Sequence, residues 1–147
     1  MEGVKLNKPN GFKTLWLVRE VSGAGKSTVA EMLGYYLPSA VMAEADQFRY
    51  VDGEYAWDKV PNHVAHSGCR KAVKKAVEED GMHNVVVANT STRSKDVNWY
   101  KNYAQRNGYR FISIIVENHH ETGNVHGVPE ETLCRMEQEI LGSIKLK

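Results

Sequence analysis

The chain has 147 residues, 41% of them hydrophobic, with 19 basic side chains against 18 acidic ones. That length suits a single domain, 1–147, with a real hydrophobic core, and the balanced charge supplies no global field for nucleic acid or a membrane surface, although a local basic surface stays open. No apolar stretch approaches the ~20 residues of a membrane span, the first residues lack an apolar signal core, and Cys69 and Cys134 lack metal-type spacing, which together point to reduced thiols in a cytoplasmic protein.

Residues 1–11 read as a loose polar leader. The run Leu15-Trp16-Leu17-Val18 predicts a strand over 12–19, apolar enough to be buried on both faces. Ser22-Gly23-Ala24-Gly25-Lys26-Ser27-Thr28 follows and opens a helix predicted over 26–37, with Val29, Met32, Leu33, Tyr36 and Leu37 as its apolar stripe and Pro38 as its stop. Ala40-Val41-Met42-Ala43 is a second short strand running into Glu44-Ala45-Asp46, and Asp52-Gly53 marks a hairpin turn within 50–58. Pro61 suits the first turn of a helix that turns Ala65, Cys69, Ala72, Val73, Ala76 and Val77 inward and ends on Glu78, Glu79 and Asp80, against the macrodipole preference. Val85-Val86-Val87-Ala88 is the third strand, leading to Asn89-Thr90. A helix over 94–107 presents Val97, Tyr100 and Ala104 and stops at Gly108. Residues 110–116 form the fourth strand. After a polar loop, 117–127, a last helix begins near Pro129 with Leu133, Met136, Ile140 and Leu141 as its buried stripe.

Strands alternating with helices imply an α/β fold: a mainly parallel sheet of four to five strands with helices on both faces, three layers in all. Ligands in such sheets bind beyond the carboxyl ends of the strands. The chemistry-bearing residues fall there: Ser22 to Thr28 after strand one, Asp46 after strand two, Asn89 and Thr90 after strand three, and 117–127 after strand four.

The segment Ser22 to Thr28 has the layout of a phosphate-binding loop, a strand and then Gly-Lys-Ser at a helix start. Backbone N–H groups line an anion-sized hollow, and the helix N-terminus adds partial positive charge. In that role Lys26 reaches the β- and γ-phosphates of ATP and the Ser27 hydroxyl ligates Mg²⁺. The bland alternative is a glycine-rich turn capped by Ser22 with a solvated lysine. The pattern G-x-x-x-x-G-K-[ST] is met at three of its four fixed positions, with Glu20 where the first glycine belongs. A carboxylate there opposes a triphosphate.

Phosphoryl transfer also needs a group to accept the acceptor hydroxyl's proton. Asp46 reads either as that base or as the N-cap of a turn over Gln47-Phe48-Arg49. Arg49 reads as a ligand for an acceptor phosphate or as a surface residue. Asn89 and Thr90 read as contacts to the γ-phosphate or metal-bound water, or simply as the end of a strand. Arg70-Lys71 with Lys74-Lys75 reads as a phosphate-tracking patch or as a solvated helix face. His119, His120 and His126 match no familiar zinc spacing.

Taken together, these residues resemble the small P-loop kinases related to bacteriophage polynucleotide kinase and to the kinase-like domains grouped with the zeta toxins, over about Thr14 to Met136. Gly23-Ala24-Gly25-Lys26-Ser27-Thr28 is similar to the family's phosphate loop, and Ala45-Asp46-Gln47-Phe48-Arg49 to its segment after strand two. In that segment an aspartate deprotonates the acceptor and an arginine binds substrate. Val85-Val86-Val87-Ala88-Asn89-Thr90 and Asn124-Val125-His126-Gly127-Val128-Pro129 resemble two further family segments. The resemblance implies an ATP- and Mg²⁺-dependent kinase acting on a hydroxyl of a polynucleotide or nucleoside-type acceptor, DNA or RNA, with Lys26 and Asp46 catalytic and Arg49 binding substrate. Three departures accompany it: Glu20, Ala88 where the family has an aspartate near the metal, and an arginine-free segment 117–127. In the family that segment is a lid whose arginines steady the transferring phosphate, and Arg19, Arg93 and Arg135 are the arginines left to replace them. Two alternatives stand beside this reading. One is a kinase of hydroxymethylated bases in DNA, which requires base extrusion; Tyr50, Tyr55 and Trp57 read either as stacking on such a base or as core. The other is a nucleotide-binding module with little turnover.

Overall fold

The structure is a computed structural model that describes residues 12–19, 26–56, 58–90, 93–117 and 129–142, with Lys26 and Ser27 described by backbone alone. Strand β1 (Thr14–Arg19) leads to helix α1 (Lys26–Tyr36), strand β2 (Ala40–Ala43) and a 3₁₀ turn, Ala45–Phe48. A small hairpin, β3 (Tyr50–Val51) and β4 (Glu54–Tyr55), precedes helix α2 (Asn62–Lys74), which continues as a π-type segment, Lys75–Glu79. Strand β5 (Asn84–Asn89), helix α3 (Ser94–Arg106), strand β6 (Arg110–Ile115) and helix α4 (Glu130–Gly142) complete the order.

The main sheet has four strands in the order β2-β5-β1-β6, and every pairing in it is parallel. Side-chain alternation along β1 assigns its two faces. Leu15 and Leu17 pack with Ala65, Cys69 and Val73 of α2 and with Val97 and Tyr100 of α3. Trp16 and Val18 pack with Val29, Ala30 and Leu33 of α1. Both faces are therefore covered, which is why β1 and β5 read as unbroken apolar runs.

Turn chemistry behaves as the residue types require. Asp52 and Gly53 have φ of 52° and 82°, the left-handed pair of a two-residue hairpin turn. Two of the three acids that follow α2 have partners: the Tyr103 hydroxyl donates to Glu78 at 3.0 Å, and Lys75 pairs with Asp80 at 3.0 Å, while Glu79 is exposed.

Two expected stripes are corrected. On α1, Met32 and Tyr36 are exposed, and burial runs through Val29, Ala30, Leu33 and Leu37. The fully buried Ala30 lets the helix lie close on the sheet, which turns the contact arc away from Met32. On α4, Ile140 is buried while Leu141 is exposed. Among the described residues no helix is long and apolar enough to cross a membrane. Cys69 is a buried free thiol and Cys134 an exposed one.

Candidate functional site

At the carboxyl edge of the sheet, α1 opens after central β1, and the 3₁₀ turn carrying Asp46 leaves β2. Only β5 lies between those strands, so their ends are two strand spacings apart, about 10 Å. Residues 20–25, which include Glu20 and Ser22 to Gly25, lie outside the described residues, as do the side chains of Lys26 and Ser27. Thr28 is exposed. The first turn of α1 contains no acidic residue, so its positive end keeps its attraction for an anion and fits a phosphate group.

The 3₁₀ turn is capped by Glu44, whose backbone N–H donates to Gln47 Oε1 at 3.4 Å. The N-cap reading of Asp46 is thereby corrected, because the cap lies two residues earlier and Asp46 falls inside the turn. Asp46 Oδ1 instead accepts from Arg49 Nε at 3.1 Å and from the Tyr55 hydroxyl at 3.3 Å, with 30% of its side chain still exposed. Burial, and after it the Asp46 carboxylate, push the Tyr55 hydroxyl up to about 12, so it remains a donor at neutral pH.

Arg49 is not a surface residue: it is buried, with a second nitrogen donating to the Val60 carbonyl at 3.2 Å and a third to Asn62 Oδ1 at 2.6 Å. A planar guanidinium can satisfy three acceptors in fixed directions, so Arg49 ties the Asp46 turn to the start of α2.

Asn89 ends β5 and is buried, and its amide is committed within the protein. Its Oδ1 accepts the Ala45 N–H at 2.7 Å, while Nδ2 donates to the Tyr100 hydroxyl at 3.2 Å and to Cys69 Sγ at 3.4 Å. The reading of Asn89 as a contact to phosphate or metal-bound water gives way to this one: it holds the residue immediately before Asp46. Burial raises the Cys69 thiol above its ordinary value, keeping it protonated.

Arg19 lies buried at the end of β1, on the face toward α2 and α3. Burial lowers its pKa, and Asp96 opposes that shift. Arg93 and Arg135 meet on Glu139, at 3.3 and 3.7 Å. Ala88 is buried against the α1 face beside Val18 and Ala30. Tyr50 is exposed and packs edge-on to Tyr55, with ring centroids 5.7 Å apart, while Trp57 falls outside the described residues. The histidines at 119, 120 and 126 also fall outside them, and among the described residues no three metal-ligating side chains converge.

No family model matches the chain. It is 26% identical to human NEDD4-binding protein 2 over 129 residues, covering 83% of this chain and 7% of that protein. Among solved structures it is similar to a chain in the structure of the Pnkp1/Rnl/Hen1 RNA repair complex, with a TM-score of 0.71 and 15% identity over 94% of this chain and 47% of the other. The fold is P-loop kinase-like. The chain thus spans a small part of the first protein and under half of the second.

The structure brings Asp46 and Arg49 together and adds three residues that sequence reasoning missed or misassigned. Asn62 receives the far end of Arg49. Tyr55 donates to Asp46 instead of joining the core. Gly68 lets α2 approach the turn, since a Cβ there would sit 2.6 Å from the Phe48 ring. The last had a signal: a glycine in the middle of an amphipathic helix marks a close approach.

Proposed function

We propose that this protein is an ATP- and Mg²⁺-dependent kinase that phosphorylates a hydroxyl of a polynucleotide or nucleoside-type acceptor. The observation that carries the reading is the ~10 Å separation, on one edge of the sheet, between the strand end that opens α1 and the strand end that presents Asp46. That gap suits a phosphoryl group on one side and an acceptor hydroxyl on the other. ATP bound at the loop supplies the phosphoryl group, and Mg²⁺ neutralises its charge. Lys26 and the α1 N-terminus stabilise the transferring charge, the Ser27 hydroxyl holds the metal, and Ser22, Gly23, Ala24, Gly25 and Thr28 complete the cradle. Asp46 accepts the acceptor's proton, with Arg49 and Tyr55 fixing the carboxylate's direction. The similarity in fold to a chain of an RNA repair complex supports a nucleic-acid acceptor.

One observation favours a second reading, a nucleotide-binding module with little turnover: Ala88 brings no carboxylate to the end of β5. Incubation with γ-labelled ATP and a panel of 5′-hydroxyl DNA, 5′-hydroxyl RNA, hydroxymethyl-base DNA and nucleosides separates the two. The kinase reading expects labelled acceptor, abolished by Lys26→Ala and reduced on the order of 10²–10⁴ in kcat by Asp46→Asn at little cost in ATP affinity. ATP binding without labelled acceptor supports the module. Near-normal transfer by folded Lys26→Ala would refute the phosphate-loop mechanism.

A further inference from the structure

A cleft of about 570 Å³ lies between α2, the N-terminal end of α3 and α4. Among the described residues six cations line it, Arg70, Lys71, Lys74, Arg93, Lys95 and Arg135, against two carboxylates, Asp96 and Glu139. The whole chain is nearly neutral, so this excess is local concentration rather than composition. A solvated helix face does not explain it, because the cations come from three segments of the chain and converge on one concavity.

Arg70 is also not arranged as a solvated side chain. Its guanidinium lies 4.7 Å from the centre of the Trp99 ring, and its Nε is buried with no hydrogen-bond partner among the described residues. Lys74, one turn on, reaches the same ring at 5.9 Å. Like charges at i and i+4 destabilise a helix, and two of them gathered over one indole form an arrangement that an anion relieves. Glu139 steadies Arg93 and Arg135 on the far wall.

The cleft begins at Asn62, which also receives Arg49, the partner of Asp46. From Asn62 to Lys74 the helix rises through its 13 residues by about 18 Å. A lone nucleoside at Asp46 brings no phosphate to these cations, whereas a chain of phosphodiesters does. A cationic groove with an aromatic ring on its wall, here Trp99, is the kind of surface that single strands track.

We propose that the α2–α3–α4 cleft binds the phosphodiester backbone of a single-stranded nucleic acid, running from the hydroxyl presented at Asp46 toward Lys74. The direction of the strand rests on the kinase reading, but binding does not.

The test is fluorescence anisotropy with a labelled single-stranded 12-mer bearing a 5′-hydroxyl, without ATP, titrated from about 50 to 200 mM salt. If all six cations engage phosphates, log K falls with log salt at a slope of roughly −4, and Arg70→Gln/Lys74→Gln makes it shallower by about 1.4. Lys71→Gln/Lys95→Gln, on exposed positions, is expected to do the same and guards against misfolding of the first variant. Lys101→Gln/Arg106→Gln, farther along α3 and outside the cleft, is expected to change neither slope nor affinity at fixed salt beyond about twofold. Unchanged slopes in both cleft variants, equal loss in the control, or tighter binding of duplex or of an acidic peptide would overturn the proposal. Absence of phosphoryl transfer with cleft-dependent binding intact would refute the kinase reading alone. Transfer to nucleoside and oligonucleotide alike, untouched by either cleft variant, would refute the cleft alone.

Discussion

Asn89→Ala separates what holds the Asp46 turn from the chemistry proposed for it. The substitution removes the acceptor of the Ala45 N–H, 2.7 Å away, and a donor to the Tyr100 hydroxyl, both in the protein interior. A buried group left unpaired costs about 1–3 kcal/mol. Ala45 bears the full cost, and Tyr100 less, since its hydroxyl still donates to Cys69 Sγ at 3.6 Å. The expected loss is about 2–4 kcal/mol of stability, which for a domain of this size lowers the melting temperature by roughly 6–13 °C. A thermal melt followed by circular dichroism reads it directly. In a transfer assay run well below the new midpoint, kcat should fall by about 10- to 100-fold through displacement of Asp46, with ATP affinity little changed. A melting temperature within about 2 °C of the parent would refute the reasoning, because the 2.7 Å bond would then carry no weight.

Gly68→Ala gains about 1 kcal/mol of helix propensity but drives a Cβ to 2.6 Å from the Phe48 ring. Overpacking of that kind costs about 1–3 kcal/mol, so urea denaturation should show a net loss, and a more stable variant would contradict the close approach of α2 to the turn. His66 has its pKa lowered from 6.5, chiefly by burial, with Arg49 and Arg70 adding to the shift and Asp96 and Asp46 opposing it. A depressed pKa in the folded state means that the unfolded chain binds the proton first. The stability His66 contributes is thus complete above about pH 6.5 and is lost as pH falls through the lowered value. Melting temperatures measured from pH 7.5 to 5 should decline less steeply for His66→Gln than for the parent, and identical slopes would exclude the assignment.

Much of the architecture was legible because it rests on short-range signals. Unbroken apolar runs in β1 and β5 announced strands buried on both faces, and Asp52-Gly53 announced the hairpin turn. Gly108, with φ of 73°, ended α3 where a left-handed residue was expected. The failures on α1 and α4 have one cause. Periodicity shows that an apolar face exists, but the width of the buried arc depends on what the helix lies against. Met32, Tyr36 and Leu141 belong to the apolar side of their helices and lie beyond the edge of the contact.

The site was legible in residue type and not in partner. That Asp46 follows β2 is a fact of order along the chain. That Arg49 is buried, Tyr55 bonded to Asp46 and Asn89 joined to Ala45 are facts of contacts spanning 3 to 44 residues, which one sequence does not encode in any local pattern. For Arg49 and Asn89 the sequence offers a ligand contact or a bland surface or strand-end role, and neither alternative names the internal one, that a buried turn first needs its own N–H and carboxylate satisfied. Arg49 and Asn89 meet that need, one from α2's side and one from β5's. Among the residues considered at this edge, Asp46 differs from both: two donors hold one of its oxygens, yet 30% of its side chain still meets solvent. A carboxylate that is both oriented and accessible is what a general base requires. Partial exposure also spares an ionised carboxylate some of the desolvation cost of burial, so what suits Asp46 to the proposed base role is the pairing of that access with a direction fixed by Arg49 and Tyr55.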